Sequence, residues 1–278
     1  MASLGAQTAP TVIYPLDLHS GDAFPGGDRG FVFLRQGPGE DRPFVVYRPD
    51  GSLAYRVRLP GVVIDAAFEA DGSAAVALTG PTATLLLLNP DGRTALKLTP
   101  TAFQPNRVAF APDHTLWILG SARPDGGGIL RHFSRDGALL SSYLDRPSIS
   151  DSIDRAGRAH LGLSREHVGI YDPSRREWTE LDFEGHITGH WILPYPEVDQ
   201  GALPEPPPAP RFQGFGFTRN GQLFARIFGA GITVQRFDKK TLKWQPVGEP
   251  GSFLIGVNGE SLMLATTTVP LRVITLLP

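Results

Sequence analysis

Apolar residues recur along the chain in short alternating runs, such as Val108-Ala109-Phe110, Leu116-Trp117-Ile118-Leu119 and Ile129-Leu130-Arg131-His132-Phe133. These runs are of strand length and rich in branched and aromatic side chains, and no helical period of useful length competes with them. Between them stand Asp-Gly and Asn-Gly pairs or their substitutes: Asp50-Gly51, Asp71-Gly72, Asp91-Gly92, Asp113-His114, Asp136-Gly137, Ala156-Gly157, Asn220-Gly221 and Asn258-Gly259. Asn and Gly accept the positive φ of tight hairpin turns, so each pair marks a reversal of the chain. The turns form two interleaved series, one through Gly72, His114, Gly157, Gly221 and Gly259, the other through Gly51, Gly92 and Gly137. A period of about 40 to 45 residues holding two hairpins, and so four strands, predicts a β-propeller.

The predicted fold is all-β, a six-bladed propeller in one domain over 11–278, with residues 1–10 as a disordered tail. Blades are expected at 19–60, 61–100, 101–146, 147–185, 211–250 and 251–278. The last supplies three strands, and the unassigned Thr11–Leu18 is expected to pair as its outer strand, closing the ring and removing an open edge. Pro15 suits such an edge. The one long interval points to an insertion at 185–210, which holds seven prolines from Pro194 to Pro210 and cannot supply interior strands. It is expected to leave the outer strand Trp178–Glu184 and cover the channel mouth on the D-to-A/B-to-C loop face. Trp191 and Tyr195 would then face inward, with Glu197 and Asp199 orienting a polar group.

Pro105-Asn106-Arg107-Val108-Ala109-Phe110-Ala111-Pro112-Asp113-His114-Thr115-Leu116-Trp117-Ile118 resembles the inner hairpin of NHL-repeat proteins and of the gluconolactonase-like (senescence-marker) six-bladed propellers. Gly169-Ile170-Tyr171-Asp172-Pro173 resembles their third strand. The resemblance implies a six-bladed ring, and in the gluconolactonase-like enzymes a divalent cation held in the central channel by a Glu, Asn residues and an Asp. Asn106 sits where one such Asn belongs, followed by Arg107 in place of Gly, and the other ligands have no counterpart. The resemblance is therefore one of fold.

Composition narrows the function classes. With 41% hydrophobic and 19% charged residues the chain can bury a large core. A net charge of -2 offers no basic field for a nucleic-acid backbone. The absence of cysteine excludes disulfides, thiolate nucleophiles and cysteine metal sites. No apolar run is long enough for a membrane-spanning helix. Ala2–Ala9 has the small-residue character of a cleaved leader's end, which predicts an exported, periplasmic or secreted protein.

There is no G-x-S-x-G elbow, no H-E-x-x-H and no phosphate loop, and Gly214-Phe215-Gly216-Phe217 is a strand in which Arg219 replaces the last glycine of a dinucleotide fingerprint. Counting back from the turns brings Asp65, Arg107, Ser150 with Asp151, Gln213 with Gly214, Ser252 and Asp22 to the channel entrance. Arg107 is expected to pair with Asp65 or Asp151. His114 replaces a turn glycine, His132 and His160 lie in strands, His167 is expected beside a B-to-C loop, and His186 and His190 belong to a loop. Trp117, Trp178 and Trp244 are expected to pack between blades.

The candidate ligand-binding residues are Asp65, Asn106, Arg107, Asp151, His167, His190, Trp191, Tyr195, Arg211 and Gln213. The expected function is that of a non-catalytic, monomeric binding propeller for a small molecule, a glycan or a protein segment, without a cofactor. The alternative is a hydrolase or lactonase assisted by calcium or another divalent cation at the channel mouth.

Overall fold

The computed structural model describes residues 11–14, 23–34, 43–80, 82–122, 128–145, 159–195, 211–228, 233–247, 253–265 and 272–276. The tail 1–10, Asp22, Ser150, Asp151, Glu197, Asp199, Ser252 and the proline-rich 196–210 lie outside these residues, as do the side chains of Arg211 and Gln213.

Six four-stranded antiparallel sheets follow one another along the chain. The first holds β2 (Ala23–Pro25), β3 (Val32–Leu34), β4 (Phe44–Tyr47) and β5 (Leu53–Val57); the second β6 (Val62–Phe68), β7 (Ala74–Thr79), β8 (Thr84–Leu88) and β9 (Thr94–Leu98). The third holds β10 (Phe103–Phe110), β11 (Leu116–Ala122), β12 (Leu130–Phe133) and β13 (Leu139–Tyr143). The fourth holds β14 (His160–Leu163), β15 (Val168–Asp172), β16 (Glu177–Leu181) and β17 (Ile187–Ile192). The fifth holds β18 (Arg211–Phe217), β19 (Leu223–Phe228), β20 (Thr233–Asp238) and β21 (Lys243–Val247). In the sixth, β22 (Phe253–Asn258), β23 (Ser261–Ala265) and β24 (Arg272–Leu276) are completed by β1 (Val12–Ile13), with Val12 opposite Val273 and Ile13 opposite Arg272. The ring closes as the sequence predicts.

Middle strands such as β7 and β8 are almost wholly buried, whereas the outer β5, β9 and β13 alternate between exposed and half-buried positions. Apolar side chains of neighbouring blades interdigitate into six clusters. Phe33, Phe44 and Phe68 join blades one and two, and Tyr171, Trp178 and Phe215 join blades four and five. Trp117 and Trp178 are fully buried between blades, as expected.

Blade four corrects the sequence reading. Its inner strand is β14, turning at Ser164–His167, and the expected turn at Ala156-Gly157 lies outside the described residues. The true turn has no Asp-Gly signal, because the Ser164 hydroxyl makes it by accepting the His167 N–H at 2.9 Å. Every later strand of the blade moves one place, so Trp178 lies in the third strand, β16. Asp182 then caps a hairpin in which Gly185 has φ +90°, and Ile187–Ile192, expected in the insertion, is the outer strand β17.

Candidate functional site

The inner strands β6, β10, β14 and β18 place one residue each on the same rung, counted from their first turn: Asp65 opposite Ala77, Arg107 opposite Leu119, His160 opposite Tyr171, and Gly214 opposite Arg226. A β-bulge precedes the rung in three of the four strands, at Ile64, Asn106 and Gln213. Such a bulge bends the strand and re-aims the residues beside it. This rung lies toward the D-to-A/B-to-C end of the blades.

Its charged groups tie one blade to the next. The Val108 N–H on β10 donates to Asp65 Oδ2 at 3.0 Å. Arg107 Nε donates to the Ala159 carbonyl at 2.8 Å, just before β14, and its Nη1 donates to the Asn106 carbonyl at 2.7 Å. Asn106 is buried, and its amide donates to Ser121 Oγ at 3.2 Å. His160 follows in blade four, with its ring centroid 6.3 Å from that of Trp178 and 5.9 Å from that of Phe215. Burial, helped by the Arg107 charge, pushes its pKa down to about 3, so the imidazole is neutral at physiological pH. At Gly214 a Cβ would meet no described atom within 4 Å.

The remaining candidates disperse. His167 sits in the turn between β14 and β15, at the opposite end of the blade from the expected loop. His190 is on the outer strand β17, its Nε2 3.4 Å from Glu177 Oε2. His186 pairs with Asp182 at 3.0 Å. Trp191 and Tyr195 turn to the seam of blades four and five, not to the channel. Lys239 Nζ lies 5.1 Å above the Trp191 ring, while Tyr195 stacks on Phe212 at 5.4 Å beneath the Arg176 guanidinium at 4.8 Å. The outer-strand position of Trp191 makes this outcome unavoidable. Arg211 and Gln213 lie on β18. His160 was missed as a site residue, although its distance from the next strand places it on the rung once the Ser164 turn is recognised.

A channel cation of the type the resemblance implies needs about six to eight oxygen ligands. Among the described residues no three acidic or imidazole side chains gather to hold one. At the described rung only Asp65 and Asn106 bring side-chain oxygens, well short of such a ligand set.

No protein-family model matches the chain, and no curated protein matches it. Among solved structures it is similar to virginiamycin B lyase from Staphylococcus aureus, at 12% identity over 96% of this chain and 99% of that one, with a TM-score of 0.53. It is similar also to XC5397 from Xanthomonas campestris, described as a gluconolactonase, at 17% identity over 99% of both chains and a TM-score of 0.53. A third likeness is to BBS1N in complex with ARL6DN, at 17% identity over 89% of this chain and 75% of that one, with a TM-score of 0.50. At such identities likeness establishes the fold alone: the chain is a six-bladed β-propeller, a fold it shares with these structures.

Proposed function

We propose that the protein is a non-catalytic binding propeller that receives a small molecule, a glycan or a protein segment at its D-to-A/B-to-C face. The carrying observation is the rung itself. Asp65 and Arg107, the charged groups best placed for chemistry, hydrogen-bond the backbone of the next blade, while at Gly214, on the same rung of blade five, no described atom stands within 4 Å of where a Cβ would be. Charged groups engaged in blade contacts, with an uncrowded position on the same rung, suit recognition by shape and a few polar contacts. A neutral His160 adds a donor and an acceptor without a charge.

The test is a thermal-shift screen against monosaccharides, oligosaccharides and short peptides, run beside incubations with aldonolactones and aryl esters with and without calcium or manganese. Saturable stabilisation by one class, lost in Gly214→Trp and unaccompanied by turnover, is the expected result. Cation-dependent turnover that disappears in Asp65→Asn overturns the reading in favour of a metal-assisted hydrolase.

A further inference from the structure

The seam between blades two and three opens, on the face of the A-to-B and C-to-D turns, into a cleft of about 340 Å³. That volume lies within the range of small-ligand sites. Side chains of the apolar cluster between blades two and three form its wall, Leu87 buried and Leu96 and Phe110 half-buried, with Ser73 and Asn89 beside them. At the rim stand Arg135 and Asp136, in the turn between β12 and β13. Arg135 is exposed and has no ion-pair partner among the described residues. In the corresponding turns of blades one and two its place is taken by Pro49 and Pro90. Proline is favoured at that point of a type I turn, so the turn itself does not call for arginine. Asp136 accepts a hydrogen bond from the Ser134 hydroxyl, which orients its carboxylate and favours its charged form.

The rim thus presents charges of opposite sign on adjacent residues, above an apolar slot. A simple carboxylate would meet Asp136 and a simple amine would meet Arg135, each repelled by one of the two. A zwitterionic head satisfies both. We propose that this cleft binds a hydrophobic α-amino acid, its side chain against Leu87, Leu96 and Phe110, its carboxylate on Arg135 and its ammonium on Asp136. The cleft is on the face opposite the rung of Asp65 and Gly214, so this site and the proposed function stand or fall separately.

The experiment is an NMR titration of the protein with L-phenylalanine, repeated with 3-phenylpropionate, which lacks the ammonium, and phenethylamine, which lacks the carboxylate. Saturable binding of L-phenylalanine is expected, with both analogues weaker by about two- to fivefold, the equivalent of one lost exposed charged contact. Ala95 lines the cleft and is exposed, so Ala95→Trp fills the slot from outside the core and should abolish binding. Arg135→Ala, also at an exposed position, should weaken it by about two- to fivefold. Circular dichroism of both variants checks that the fold is kept. The proposal is overturned if L-phenylalanine shows no saturable binding, if either analogue binds as well, or if folded Ala95→Trp binds unchanged.

Discussion

Ring closure depends on a strand of only two residues, so most of its strength has to come from what packs behind it. Tyr14, immediately after β1, is fully buried in the seam with Val32, Val45, Met263 and Val273, edge-on to Tyr47 with ring centroids 6.0 Å apart. Truncating a buried aromatic residue costs about 3–5 kcal/mol, from lost transfer free energy and the cavity left behind. The Tyr14 hydroxyl has no hydrogen-bond partner among the described residues, and burial, reinforced by Asp50, holds the phenol neutral. Removing an unsatisfied hydroxyl recovers about 1–3 kcal/mol of desolvation. Tyr14→Phe should therefore be as stable as the wild type or more so. Tyr14→Ala should lower the melting temperature by on the order of 10 °C, at about 2–4 °C per kcal/mol for a chain of this size. Thermal melts followed by circular dichroism decide the matter, with deletion of residues 1–18 and of residues 1–9 as the limiting cases. A Tyr14→Ala protein melting within about 2 °C of the wild type, or equal stability of the two truncations, would refute closure by this strand.

Three further outcomes follow from the inter-blade contacts. Asp65→Ala should destabilise by about 1–3 kcal/mol by orphaning the Val108 N–H, and Asp65→Asn, which keeps an acceptor, should lose less; urea midpoints report both. Lys239 donates to buried Glu180 and to the Gly221 carbonyl, so Lys239→Met should cost about 2–3 kcal/mol in a urea melt by leaving the carboxylate with the Trp178 indole N–H as its remaining donor among the described residues. The His160 pKa is depressed to about 3 in the folded protein, so between pH 6.5 and 3 the unfolded chain binds the extra proton and stability falls as pH falls. The slope from this group approaches about 1.4 kcal/mol per pH unit and should vanish in His160→Gln; identical pH dependence of the two proteins between pH 7 and 4.5 would remove His160 from the account.

Blade number and ring closure were legible because hairpin turns are encoded locally. An Asp or Asn followed by a residue able to take positive φ announces itself, even where His114 substitutes for glycine at φ 68°. Blade four was misread because its first turn depends on the Ser164 hydroxyl, a weaker and commoner signal than Asp-Gly. One missed turn moved four strands and made an outer strand look like a lid. Asp65, Arg107 and Gly214 were placed correctly on the inner strands by counting from turns, since a ladder has a fixed period. What they bond to was not legible, because Val108 and Ala159 become their partners only when neighbouring blades meet.

The two ends of the ring are built on different principles. At the turn end the chain bonds to itself in a staircase: the Arg165 N–H donates to the Arg219 carbonyl at 2.9 Å, the Arg219 N–H to the Gly259 carbonyl at 3.0 Å, and the Gly259 N–H to the Asp28 carbonyl at 2.6 Å. Ion pairs then skip a blade, Arg165 to Glu260 at 2.6 Å and Arg219 to Asp28 at 2.7 Å, so that blades four, five, six and one brace one another across the closing seam. Exposed pairs add little singly, but backbone bonds in series fix the spacing of the turns whatever side chains they carry. At the rung end the equivalent positions hold Asp65, Arg107, His160 and Gly214, four residues with no common chemistry. A repeat that needed one residue type there for packing would show it in every blade. The rung differs in chemistry from blade to blade even where, as at Asp65 and Arg107, it also ties neighbouring blades, and such variation is what a recognition surface on a repeated scaffold requires.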